Sequence, residues 1–382
     1  MSTPPAPDAL ALAGSLTLVV GAASPIQGGR PVLSPGLLDR LASGRPAEQW
    51  PEPLGRLFSL CGHAQTLAAR LALQGAGAKE SSDVMTAQAA VLLRVVTAGE
   101  QLQRMLLDWP LACPQPGVAP DMALLKAARP ATPPAQASLT ELQHQLEALS
   151  ALLADRLFGM PAADWLRAWQ AQPGPWLDRW SQSHQGTVAR WLHAIRPDAC
   201  AVHLAHRALP DPRTDPAGFA DLGHRLLNDP AQSQRPTWQG QPAETGPCTR
   251  GWLDGSVAGD ESLWWRLGAR VADLAALLSR PDSLRSGSLA LGPLAGLGWC
   301  DMSRGLLVHV VQLRRTSVHA APTIERYRLQ APTEWNFHPD GPLAHWLRQT
   351  LPTPDSLRQA RLAATALDPC VQLDVQLSLI HI

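Results

Sequence analysis

The stretches "CDMSRGLLVHVVQL" (300–313) and "IERYRLQAPTEWNFHPDGPLA" (324–344) hold two β-like runs, joined by a polar segment containing Pro322. Branched and aromatic residues on either side of such a break predict an antiparallel hairpin. Just upstream, glycines punctuate "SGSLALGPLAGLGW" (286–299), and "ESLWWRLGARVADLAALLSR" (261–280) carries the apolar stripe of a helix. A small amount of sheet is therefore expected near the C-terminal end.

Towards the N-terminus the pattern is helical. A strand is expected near 15–22, and "LLDRLAS" (37–43) reads as a short helix. Apolar residues then recur at helical spacing through "LGRLFSLCGHAQTLAARLALQ" (54–74). Ser81, Ser82 and Asp83 offer caps for "VMTAQAAVLLRVVTAGEQLQRMLLDW" (84–109), which is expected to stop before Pro110. Ser138 and Glu141 form a capping box for a helix whose Leu142, Leu146, Leu149 and Leu153 share a core-facing side. Trp165, Trp169, Trp176 and Trp180 are expected to anchor further packed helices. Residues 113–137 are a Pro- and Ala-rich connector, and 208–258, rich in Pro, Gly, Gln, Asp and Thr, are expected to form long surface loops. The predicted fold is mainly α with small β elements, as a single domain over 1–382.

Composition excludes several classes of function. In 382 residues, 32 basic and 32 acidic side chains cancel, which gives no electrostatic reason to expect nucleic acid or an anionic membrane as partner. With 45% hydrophobic residues the chain can bury a large core. The apolar stretch from Leu10 to Val20 has no basic residue before it and is interrupted by Gly14, Ser15 and Thr17, so a strand is preferred to a signal peptide. A cytoplasmic location is the expectation. The six cysteines are scattered without a C-x-x-C pair, which fits neither a disulfide framework nor a structural zinc site.

Three segments in order, Asp301-Met302-Ser303-Arg304-Gly305, Pro332-Thr333-Glu334-Trp335-Asn336 and Asp368-Pro369-Cys370, resemble the C-terminal part of nickel–iron hydrogenase large subunits. There a Glu-Ala-Pro-Arg-Gly segment, a hairpin and a Pro-Thr-Thr-Trp-Asn segment precede an Asp-Pro-Cys-x-x-Cys-x-x-His terminus. The N-terminal metal motif of that family, Arg-x-Cys-Gly-x-Cys-x-x-x-His, is matched by residues 56–65, with Arg56 and Cys61 kept and Phe58 and Gln65 standing for the first cysteine and the histidine. At the other end Leu373 stands for the second cysteine and Gln376 for the histidine. Each cysteine pair has lost one member. A chain of this size with this paired loss resembles the hydrogenase expression/formation proteins of HupK and HoxV type, which implies a hydrogenase-large-subunit-like helical core.

The resemblance further implies a maturation factor: a scaffold that takes the Fe(CN)2CO unit from accessory chaperones and passes it to the hydrogenase large-subunit precursor. It implies Cys61 and Cys370 as the metal ligands, with Arg304 and Asp368 beside the metal. Two thiolates cannot hold nickel in the four-thiolate geometry of the enzyme, so no nickel and no catalysis are expected, while two soft ligands suit one low-spin iron. Cys61, near a helix N-terminus, is expected to favour the thiolate. Ser303 could add a hydroxyl donor, and His63 or Cys300 could take minor parts. A lone buried cysteine is more often a small hydrophobe; the joint match favours the ligand reading here. A degenerate redox-active homologue and a metal-free adaptor are the alternatives.

Overall fold

The computed structural model describes residues 14–378 except 31, 32, 34, 35, 59, 60, 79–83, 85, 131, 251–260 and 318. The proposed caps Ser81, Ser82 and Asp83 lie outside the described residues. Thr86 serves instead, its Oγ1 accepting the Ala89 N–H at 3.1 Å at the head of helix Ala87–Gln103.

The helix Leu263–Ser279 is the axle of the helical layer, with every residue from Leu263 to Leu278 buried. A helix that is buried all round sits inside a core, and helices Ala87–Gln103, Ala162–Ala171, Thr187–Ala201 and Pro354–Leu367 pack about this one. The Ser138–Glu141 capping box forms as expected, and Leu142, Leu146, Leu149 and Leu153 are buried. Trp165 stacks on Trp169 at 6.0 Å and meets Trp180 edge-on at 5.4 Å, while Trp180 Nε1 donates to Phe158 O at 2.9 Å. The tryptophans join helices as anticipated. Trp176 alone among them is only partly buried.

Strand β1 (Ser15–Val20) forms where expected and pairs antiparallel with β2 (Ile26–Gly29). The anticipated hairpin proves to be half of a larger sheet: β3 (Ser286–Gly292), β4 (Ala295–Met302), β5 (Gly305–Arg314) and β6 (Thr323–Gln330) form one antiparallel meander. The glycine-punctuated stretch is thus two strands. Gly296 and Gly298 alternate onto one face of β4, where a Cβ would come within 2.1 Å of the backbone nitrogens of Ala76 and Ala72 respectively. The glycines let helix Gly62–Gly75 lie directly on the strand.

On the other face lies helix Pro216–Asn228, inside the stretch expected to be loops, with Phe219, Leu222 and Leu226 buried. Its apolar spacing was obscured by flanking Pro and Asp residues. The 113–137 connector likewise contains a short helix, Met122–Ala127. A further strand, β7 (Gln372–Leu377), runs parallel to β1 from Ser15↔Gln372 to Val20↔Leu377, so segments from opposite ends of the sequence share one sheet. Among the described residues, no helix is long and apolar enough to cross a membrane.

Two breaks in helices place functional side chains. The expected helix over 54–74 divides into Pro51–Leu57 and Gly62–Gly75, and Cys61 is the N-cap of the second. The helix expected to stop before Pro110 instead widens into a π turn at Arg104–Asp108 and continues through Trp109–Ala112. The wider turn alters the backbone hydrogen-bond pattern just where proline lacks an N–H, and such bulges recur at functional sites.

Candidate metal centre

Cys61 is buried at the head of its helix, and Gln65 Nε2 donates to its Sγ at 3.5 Å. The expected preference for thiolate does not hold. Burial, then the negative charge of Cys370, then that of Glu100 push the Cys61 thiol up to about 12, outweighing the helix N-terminus. Behind it, Gln65 Oε1 accepts from His309 Nε2 at 2.9 Å, which makes Nδ1 the acceptor of the Tyr327 hydroxyl at 2.6 Å. His309 is fully buried and neutral, its pKa lowered to about 3 by burial. A polar chain of fixed direction therefore supports Gln65, the residue at the family's histidine position.

Cys370 lies in the turn between helix Pro354–Leu367 and β7. Thr333 Oγ1 accepts from the Cys370 N–H at 3.1 Å and lies 3.0 Å from its sulfur. Arg30 Nη1 donates to the same sulfur at 3.2 Å, while Arg30 Nε donates to Glu334 Oε1 at 2.7 Å and Nη2 pairs with Oε2. Burial opposes the charge of Arg30, and Cys370 and Glu334 more than offset it, so the guanidinium stays charged. Cys370 exerts the strongest charge effect on Cys61, and both thiols act on Arg30 and on Arg304. Two sulfurs from far-separated parts of the sequence therefore lie within electrostatic reach of each other and of the same two guanidiniums.

Arg304 follows β4 in a turn fixed by a buried ion network: Asp301 takes Arg285 Nε at 2.7 Å and Nη2 at 3.0 Å. Arg304 Nη1 reaches Glu100 at 3.2 Å and Ser303 Oγ at 3.3 Å, while its Nε is buried without a hydrogen-bond partner. Ser303 donates its hydroxyl to Glu100 at 2.5 Å, so that hydrogen is engaged within the protein. Burial raises the pKa of Glu100 despite Arg304 and Ser303. Asp368, in the left-handed region at φ 53°, faces Arg104 Nε at 3.1 Å, Arg270 Nη1 at 3.2 Å and Arg304 Nε at 3.7 Å. Burial opposes its charge, but Arg304, Arg270 and Arg104 together hold its carboxyl below the usual range.

Of the minor candidates, Cys300 is buried behind Cys61, where its sulfur donates to Ala64 O at 3.4 Å; burial and neighbouring Asp301 raise its pKa. His63 instead lines a separate hollow of about 530 Å³ with Thr66 and Arg70. Sequence reasoning gave no part to Arg30, Glu100, Arg104 or Arg270. Glu100 had one signal, as the only acid on helix Ala87–Gln103. Among the described residues one trio has metal-binding spacing, His206, Glu244 and Cys248. Both oxygens of Glu244 already face Arg266, at 3.0 and 2.7 Å, so the trio serves as a hydrogen-bonded hub.

No protein-family model matches the chain. It is 34% identical over 387 residues to the hydrogenase expression/formation protein HoxV of Cupriavidus necator, covering 96% of both chains. It is 29% identical over 355 residues to the hydrogenase expression/formation protein HupK of Rhizobium leguminosarum, covering 88% of this chain and 89% of that one. A reduced, active Ni-Fe-Se hydrogenase from Desulfomicrobium baculatum superposes with a TM-score of 0.54 at 13% identity, over 90% of this chain and 93% of that one. At that identity the likeness speaks for fold alone, and the fold is like that of the nickel–iron hydrogenase large subunit. With a relative 34% identical across 96% of both chains, the chain belongs to the hydrogenase expression/formation proteins of the HoxV and HupK type.

Proposed function

We propose that this hydrogenase expression/formation protein is a carrier for the Fe(CN)2CO unit, held between Cys61 and Cys370 before transfer to the hydrogenase large-subunit precursor. The observation that carries the reading is that Cys61 and Cys370, from far-separated parts of the sequence, act on each other's charge and on the same two buried guanidiniums, Arg30 and Arg304. A buried guanidinium can donate to the nitrogen end of a cyanide ligand, and Arg304, oriented by Asp368 at 3.7 Å, is such a donor. Soft thiolates suit low-spin iron. Two thiolates and two cyanides carry net negative charge on ferrous iron, and Arg30 and Arg304, the guanidiniums on which both thiols act, would offset it.

Burial keeps Cys61 a neutral thiol until metal displaces its proton. A reluctant ligand aids release, which a carrier requires. Accessory chaperones would deliver the unit, and no redox turnover is asked of this chain.

The test is infrared spectroscopy of protein purified anaerobically from cells that make the hydrogenase. Cyanide and carbonyl bands are expected in the wild type and absent after Cys61→Ala or Cys370→Ala. Bands that persist in the double variant would sink the carrier reading. Full hydrogenase maturation by that variant without metal would favour an adaptor instead.

A further inference from the structure

We propose that the polar opening beside Arg30 is the port by which an anionic metal–ligand unit reaches Cys370, with Arg30 recognising the unit and Glu334 closing the way. The identity of the cargo rests on the carrier reading above; the route rests on geometry.

A cavity of about 170 Å³ is bordered by Gly29, Arg30, Gln234, Arg235, Thr333 and Glu334. Arg30 and Thr333 line the cavity and also reach the Cys370 sulfur, at 3.2 and 3.0 Å, so the opening ends one side chain away from that thiol. Its volume is that of roughly six waters at about 30 Å³ each, which suits a small polyatomic ion and excludes a polypeptide. Arg235 is exposed at the rim and Arg30 is buried at the base, with Glu334 the only acid among the lining residues. The two guanidiniums outnumber the one carboxylate, so the field favours an anion.

Arg30 divides its donors between two partners. Nη1 holds the sulfur, while Nε and Nη2 are occupied by the two oxygens of Glu334. The pair is largely buried, with side-chain exposures of 3% and 9%. When Glu334 turns aside, the planar fork presents Nε and Nη2 to the nitrogen ends of cyanide ligands without releasing Cys370. Glu334 is also where this chain departs from the hydrogenase Pro-Thr-Thr-Trp-Asn pattern, and threonine could not form that fork. A larger hollow, about 470 Å³, touches Asp368, Pro369 and Val371 with Arg104, Arg361 and Leu373, but among the described residues it includes none of the side chains hydrogen-bonded to either sulfur.

The test uses the intact metal-free protein and compares alkylation of Cys370 by iodoacetate and iodoacetamide, reagents of similar size and different charge, read by peptide mass spectrometry. Glu334→Gln, which keeps the shape and removes the charge, is expected to speed both reagents by about tenfold, the effect of roughly 1.4 kcal/mol. Arg235→Glu, an exposed change that leaves the core intact, is expected to lower the iodoacetate to iodoacetamide ratio several-fold. An unchanged ratio in Arg235→Glu, or a ratio lowered instead by Arg361→Glu at the other hollow, would overturn the proposal. So would unaltered rates in a folded Glu334→Gln protein. Because alkylation needs no metal, failure here is distinct from failure to find cyanide and carbonyl bands.

Discussion

Asp368→Asn isolates the charge that organises the seat. Asparagine tolerates the left-handed φ of 53° at this position, so the backbone is preserved while Arg104, Arg270 and Arg304 lose their common anion. Removing one partner of a buried ion pair costs about 3–5 kcal/mol, because the remaining charge stays buried. With a urea slope near the upper end for single domains, about 3 kcal/mol per M, the midpoint should fall by about 1 M or more. Equilibrium urea unfolding followed by tryptophan fluorescence measures this.

The same experiment at low pH tests the cause. The folded-state pKa of Asp368 is depressed from 3.8, so its contribution is fully present above that value and is lost as pH falls through the depressed folded value. The gap between variant and wild type should therefore be full at neutral pH and narrow below pH 3.8. A gap under about 1 kcal/mol at neutral pH, no larger than an ordinary substitution, would refute the reasoning. So would a gap that does not change with pH.

Gly298→Ala should destabilise by at least about 1–3 kcal/mol, the cost of overpacking, since its Cβ would lie 2.1 Å from Ala72 N; thermal melting tests it, and a neutral result would mean the helix can shift away from β4. For metal binding, the Cys61 thiol at about 12 must lose its proton, so apparent affinity for Cd²⁺, followed by thiolate-to-metal charge transfer, should rise about tenfold per pH unit near neutrality for each proton released. A pH-independent affinity would show that Cys61 is not a ligand.

Local order was legible in the residues: the Ser138 capping box, the buried leucine stripe and the Leu263–Ser279 helix all follow from spacing within a few turns. The sheet was legible only in part. Gly296 and Gly298 look like turn residues until the helix resting on them is known, because their role is set by a partner remote in sequence. The site divides in the same way. Cys61, Cys370, Arg304 and Asp368 lie in recognisable segments, whereas Arg30 meets Cys370 across 340 residues with no local pattern to announce it. Even the expected thiolate character of Cys61 failed for a tertiary reason, since burial and Cys370 prevail over the helix end.

The parallel pairing of β1 with β7 also sets a clock. Arg30 and the sulfur it holds are 340 residues apart, and at about 5–20 residues per second the ribosome needs roughly 17–70 s to make that span. Throughout that interval β1 lacks its second neighbour, and the proposed Cys61–Cys370 pair is incomplete. A nascent chain that has not reached Cys370 therefore cannot hold the proposed seat: translation itself withholds it until the strand after Cys370 has emerged and docked.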